Sequence, residues 1–293
     1  MTDELRFAKY QATGNDFVMV VDLEAERHLD ADTVARLCDR RTGIGADGLI
    51  RVVRSDRADA AFQMDYRNAD GSVAQICGNG ARCLGKLVND LGLSDDRSFA
   101  IVVGDQVRGL HLHPADGEVR GVTVEMGAPA FAKAAIPMRG PAWETFQGEP
   151  FDIGGGMTLK ATALSMGNPH LVLFIEEDPE LFHVSHIGPI LERHELFPEH
   201  TNVEFAQVLD PEIRARVWER GSGETMACGS GACAIAVAAN EAGLVPRRAV
   251  VRFPGGPLEV ERMDDGNVLL SGTADRVFDG VIDLDGLRSR GPA

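Results

Sequence analysis

ICGNGARCLGKLVNDLG (76–92) and ACGSGACAIAVAANEAG (227–243) follow one pattern. Each runs Cys-Gly-polar-Gly-Ala, continues as an apolar helical stretch rich in small residues, and reaches an Asn shortly before Gly92 or Gly243. A glycine just past an apolar periodic run is a helix stop, so each segment predicts a buried helix that opens on a glycine turn. One copy in each half of the chain implies duplication rather than a short-period solenoid. The expected arrangement is a pseudo-twofold pair of helices facing a common cleft.

The flanking sequence fits such halves. FVMVVD (17–22), GLIRVVR (48–54), AFQMDYR (61–67), FAIVVG (99–104), LHLHP (110–114) and VTVEMG (122–127) read as strands, several with alternating burial. ADTVARLCDRR (31–41) has helical spacing, with Asp32 or Thr33 as the expected cap. After a break at RGPAWETFQGEP (139–150) and the glycines 154–156, strands recur as MTLKATALSM, LVLFIEE, NVEFAQVL, IRARVWERG, AVVRFPG, PLEVERM, NVLLSG and VFDGVIDL. The layout is two strand-rich halves with one principal helix each.

At 293 residues the chain is twice a typical domain, and 44% hydrophobic with 25% charged residues is globular. A net charge of −16 argues against nucleic-acid and anionic-membrane binding, which need clustered Lys and Arg. Lys9, Lys86, Lys133 and Lys160 are the four lysines, so Schiff-base chemistry has few candidate amines. The start lacks a signal-peptide pattern and no run of 18 apolar residues occurs, which predicts a cytoplasmic protein. Five cysteines in a reducing compartment do not make a disulfide framework.

The chemistry concentrates at Cys77 and Cys228. A helix N-terminus favours negative charge by about 0.3–2 kcal/mol, and is expected to lower a thiol from its usual value toward neutrality. Gly78, Gly80, Gly229 and Gly231 leave backbone N–H groups uncovered, so a carboxylate can dock beside either sulfur. Two such thiols can invert a carbon next to that carboxylate: a thiolate removes a proton from one face and a thiol returns one to the other. Neither a metal nor an electron-sink cofactor is then required. Cys38, Cys83 and Cys233 read as core. C-x5-C and C-x4-C are not zinc spacings, His111 and His113 read as surface residues, and His183, His186, His194 and His200 fall in a stretch that reads as loop-rich, without ligand spacing, and are given no role. TGNDF, NADGS, MGNPH, TNVEF and WERGSGE place Asn15, Asn68, Asn168, Asn202, Glu219 and Arg220 at strand ends or turns. Any one of those asparagines is explained by turn chemistry, whereas together with an Arg fork they suit a zwitterion. Asp47 is expected to fix its own glycine turn.

Through TGNDFVMV, RRTGIGADG, NADGSVAQICGNGARC, GNPHLVLF, TNVEFAQV, WERGSGETMACGSGACA and VFDGVI, the sequence closely resembles the diaminopimelate epimerases over nearly its whole length. The resemblance implies an α+β fold of two pseudo-symmetric domains. Each is a strongly curved, mostly antiparallel sheet or barrel wrapped around a central helix, with the active site in the cleft. The expected domains are 1–126, completed by a returning strand at about 277–293, and 127–276. It implies cofactor-free interconversion of LL- and meso-2,6-diaminopimelate, in lysine and cell-wall precursor biosynthesis, by a small-molecule enzyme acting as a homodimer. Cys77 and Cys228 become the acid/base thiols, Gly78, Asn79, Gly229 and Ser230 the carboxylate cradle. Asn15, Asn68, Asn168, Asn202, Glu219 and Arg220 hold the distal end, and His170 and Glu219 tune the thiols. Ser230 stands where Thr is commoner, and Phe278 where some members place a Tyr at a dimer contact. The alternatives are a two-thiol proline or hydroxyproline racemase, disfavoured by Asn79 and Arg220, and a thiol redox sensor.

Overall fold

The computed structural model describes residues 3–73, 77–209 and 212–289. Ile76, at the head of the first repeat, and 290–293, at the end of the expected returning segment, lie outside the described residues. In chain order the strands are β1 (Glu4–Ala12), β2 (Asn15–Val21), β3 (Gly48–Arg54), β4 (Phe62–Asn68), β5 (Ser98–Val103), β6 (Gln106–Ala115) and β7 (Glu118–Gly127). There follow β8 (Phe146–Gly154), β9 (Met157–Ser165), β10 (Pro169–Phe174), β11 (Asn202–Val208), β12 (Glu212–Glu219), β13 (Gly223–Thr225), β14 (Arg248–Phe253), β15 (Gly256–Arg262), β16 (Val268–Thr273) and β17 (Asp275–Asp283). The α-helices are α1 (Ala31–Cys38), α2 (Gly78–Asp90), α3 (Val184–Glu192), α4 (Gly229–Glu241) and α5 (Leu284–Ser289).

The described residues form two compact units, one running to Val124 and resuming at Gly272, the other Glu125–Ser271. In the first, the strand order is β17-β1-β2-β3-β4-β5-β6-β7, with parallel pairs only at β2/β3 and β4/β5. In the second it is β8-β9-β10-β11-β12-β14-β15-β16, with parallel pairs only at β10/β11 and β12/β14. The succession of antiparallel and parallel ladders is therefore the same in both. The duplication visible in two short segments extends to the whole topology.

Each sheet curls around its helix. α2 touches β1, β2, β3, β6 and β17, and α4 touches β9, β10, β11, β14 and β15. α2 buries Ala81, Cys83, Leu84, Leu87 and Val88, and α4 is buried continuously from Gly229 to Ala239. A helix apolar on every side has to be surrounded, and small residues let the strands approach it. Both helices end alike. Leu93 N–H reaches Val88 O and Leu244 N–H reaches Ala239 O, each at 2.9 Å, across Gly92 (φ +60°) and Gly243 (φ +70°). These are paired Schellman stops, in which glycine takes the left-handed position.

Three local expectations change. Asp30, not Asp32 or Thr33, caps α1, accepting from Thr33 N–H at 2.8 Å. The stretch around His183 and His186 is helical as α3, with Pro189 inside it. The expected break at 139–150 includes the start of β8.

Candidate active site

Cys77 and Cys228 are the N-caps of α2 and α4. Their backbones match, at φ −124°, ψ 106° and φ −125°, ψ 120°. Each sulfur accepts from a glycine N–H three residues on, Gly80 at 3.3 Å and Gly231 at 3.4 Å. Each carbonyl accepts the first helical bond, from Ala81 and Ala232, at 2.9 Å. A thiol stands where Ser or Asp usually caps a helix, so the free N–H groups and the positive end of the dipole surround sulfur.

In the unit of Cys77, a buried polar cluster centres on Arg82. Asn79 is buried, and its Oδ1 accepts from Arg82 Nη2 at 2.8 Å. The same Nη2 reaches Thr13 Oγ1 at 3.1 Å, and Arg82 Nε reaches Thr273 O at 3.3 Å. Arg82 is wholly buried, as is no other arginine among the described residues. Asn15 sits at the start of β2 with a buried Oδ1 that has no hydrogen-bond partner. Asn68 ends β4, and its Nδ2 donates to Ser72 Oγ at 3.0 Å within its own turn. Asp47 does more than fix a turn: with Asp16 it receives Arg40, at 2.7 Å to each carboxylate, while Lys9 pairs with Asp16 at 2.8 Å.

Around Cys228 the neighbours are acidic. Ser230 Oγ lies 3.5 Å from the sulfur and accepts from Asn168 Nδ2 at 3.2 Å. Asn168 Oδ1 meets His170 Nε2 at 2.9 Å, and His170 Nδ1 meets Glu204 Oε1 at 2.6 Å. His170 and Glu204 are fully buried, and Glu204 Oε2 has no partner. Glu219, at the end of β12, accepts from Thr225 Oγ1 at 2.5 Å, and its carboxylate is the nearest acidic influence on the Cys228 thiol. Asn202 Oδ1 accepts from Arg220 N–H at 2.9 Å, and Asn202 Nδ2 donates to Pro169 O at 2.9 Å. The structure thus gathers Asn168, His170, Asn202, Glu219, Arg220, Gly229 and Ser230 within one unit, and Asn15, Asn68, Gly78 and Asn79 within the other.

One expectation is reversed. The helix end was expected to lower the Cys228 thiol, yet it is pushed well above its ordinary value. Burial is the main cause and the Glu219 carboxylate adds to it; Ser230 and Gly231 N–H pull the other way and lose. Loss of water around Glu219 likewise raises its carboxyl. A dipole worth at most about 2 kcal/mol does not offset desolvation of a wholly buried charge.

The sequence profile of the diaminopimelate epimerases matches residues 7–132 and 162–277. The chain belongs to the diaminopimelate epimerase family. A diaminopimelate epimerase of Phocaeicola vulgatus is 42% identical over 289 residues, covering 97% of this chain and 100% of its own. That of Moorella thermoacetica is 43% identical over 284 residues, covering 96% and 100%. Among solved structures, a hydroxyproline epimerase from Agrobacterium vitis is similar at a TM-score of 0.68 and 12% identity, covering 97% of this chain and 94% of that one. A predicted epimerase from Pseudomonas aeruginosa is similar at 0.66 and 17%, covering 95% and 99%. At those identities the likeness shows a shared α+β fold. Among the described residues no helix is long and apolar enough to cross a membrane.

Glu204 and Arg82 were not singled out in the sequence. Each carried a signal: Glu204 stands in the apolar strand NVEFAQV, and Arg82 lies between Ala81 and Cys83 on a helix expected to be buried.

Proposed function

We propose that the chain interconverts LL- and meso-2,6-diaminopimelate, with Cys77 and Cys228 as the two bases. Membership of the family, at about 40% identity over nearly the full length of named diaminopimelate epimerases, supports the reaction. The observation that carries the mechanism is the pair of thiol-capped helices at equivalent places in two duplicated units.

The proton count closes without another reagent. A thiolate takes the α-proton and becomes a thiol. The electron pair left on carbon spreads into the α-carboxylate, where backbone N–H groups of Gly78, Asn79, Gly229 and Ser230 stabilise the added charge. The opposing thiol gives its proton to the other face and becomes a thiolate, so the two cysteines exchange roles in each turnover. Burial and the charge of the Glu219 carboxylate favour the protonated form of Cys228. Asn15, Asn68, Asn168, Asn202, Glu219 and Arg220 hold the distal, non-reacting end, and His170 orients the polar groups beside Cys228. Holding that end fixes a flexible substrate for attack.

We also propose a cytoplasmic homodimer, since the thiols need a reducing compartment. A second copy fits against β17, where Val277, Phe278 and Val281 are exposed and Val281 borders a groove of about 570 Å³ lined also by Phe7, Met19, Leu87 and Leu91. Light scattering on wild type and Phe278→Glu tests this: a dimer that becomes a monomer is expected, and a wild-type monomer refutes it.

The test of function is turnover in D₂O without added cofactor. LL-diaminopimelate should give the meso form with deuterium at the inverted carbon. Conversion of L-proline with none of diaminopimelate, or no exchange at either, would overturn the assignment.

A further inference from the structure

The end of β12 and the turn that follows it carry Glu219 and Arg220, and a third carboxylate grips this pair from both sides. Glu192, the last residue of α3, is 4% exposed. Its Oε2 accepts from Trp218 Nε1 at 2.8 Å and its Oε1 from Gly221 N–H at 2.9 Å. The two donors lie immediately before and after the Glu219–Arg220 pair. The backbone of Glu192 adds a third tie, accepting Thr201 N–H at 3.1 Å next to Asn202, whose Oδ1 takes the Arg220 N–H. His200 Nδ1 stands 3.7 Å from Oε1. The helix leans on the same indole: a Cβ built on Gly188 would fall 2.6 Å from Trp218 Cγ.

We propose that Glu192 is a positioning residue for substrate binding, holding the 218–221 turn so that Arg220 meets the distal carboxylate. A buried carboxylate is costly unless its oxygens are hydrogen-bonded. Here both oxygens are committed to partners that can only donate, an indole N–H and a backbone N–H. Only a carboxylate offers two acceptors at that span. An amide of the same shape sets its NH₂ against one of the donors and releases one end of the turn. Glu219 keeps a tether of its own in Thr225, so the loosening falls on Arg220. The inference rests on the reading that Arg220 holds the distal end.

The experiment is a double-mutant cycle of Glu192→Gln and Arg220→Gln with LL-diaminopimelate. Glu192→Gln should raise KM about tenfold with kcat within about threefold, the mark of lost ground-state binding. In the Arg220→Gln background the same change should move KM by no more than about twofold, because coupled residues are not additive. An unchanged KM in Glu192→Gln, beside a raised KM in Arg220→Gln, overturns the inference and leaves the role of Arg220 standing. An equal rise in both backgrounds also overturns it, since the effect then bypasses Arg220. An unchanged KM in Arg220→Gln overturns the inference and the reading beneath it together. Should Glu192→Gln not fold, Trp218→Phe removes one donor and leaves the Gly221 bond; a KM rise of about threefold is expected, and a wild-type KM refutes the proposal.

Discussion

The turns at Cys77 and Cys228 share a backbone and differ in what surrounds them. Their φ, ψ and capping distances agree closely. Behind Asn79 stands a buried Arg82, whereas Cys228 faces Glu219 with Glu204 and His170 beyond. Duplication preserved the device that uncovers N–H groups around sulfur. The charge near each copy then diverged, so the two thiols differ in what surrounds them and not in how their helices present them.

The largest effect expected is from exchanging either thiol for a hydroxyl. Cys77→Ser and Cys228→Ser should each reduce epimerisation on the order of 10³-fold or more, since a serine is far too weak a base. Near-normal turnover in either one would show that the two turns do not share the reaction. Next in size is Glu219→Gln, which should lower kcat roughly 10- to 100-fold by removing the charge that bears on the Cys228 thiol. It also has a signature in stability. Burial raises the Glu219 carboxyl, so the folded protein binds its proton more tightly than the unfolded chain does. That contribution is complete below the unfolded value of about 4.3 and is lost as pH rises through the raised folded value. Melting of wild type relative to Glu219→Gln should therefore fall as pH is raised from acid toward neutral, and a constant difference would remove Glu219 from the account of Cys228.

A third comparison sets matched glycines against each other. A Cβ on Gly80 would meet Ile50 Cδ1 and Met64 Cε at 2.7 Å, the free ends of side chains in the core. A Cβ on Gly231 would instead meet Glu204 Oε1 at 3.0 Å, Cys228 Cβ at 3.2 Å and its Sγ at 3.4 Å. Gly80→Ala should cost stability, about 1–3 kcal/mol of overpacking, and keep activity per folded molecule. Gly231→Ala should displace the sulfur and cost activity about tenfold or more. Urea titration beside initial rates separates the two outcomes, and equal loss of activity in both would erase the distinction.

What the sequence made legible was local. Short runs rich in β-branched and apolar residues, such as GLIRVVR, lie where expected, and the repeated Cys-Gly segments predicted both central helices. β1 went unread because Lys9 and Tyr10 are buried beside apolar neighbours, their polar ends met by Asp16 and Asp90, which no periodicity records. α3 was hidden by Gly188 and Pro189, and its worth comes from tertiary contact with Trp218. The direction of the Cys228 shift was misjudged for a related reason. The helix end is written in the segment itself, whereas burial depends on strands far away in sequence.

The smallest expected effect tests the claim that the two units differ at the N-termini of these helices and not along them. Gly92 and Gly243 both occupy the left-handed region, and an added Cβ would find no atom within 4 Å at either position. The cost of alanine is then conformational alone, about 1–2 kcal/mol at each site. In a chain of this size that lowers the melting temperature by roughly 2–4 °C per kcal/mol. Gly92→Ala and Gly243→Ala should match each other within error and leave turnover unchanged. Unequal costs would mean that one helix relies on its stop more than the other, and the divergence of the two copies would then reach the whole helix rather than the thiol end alone.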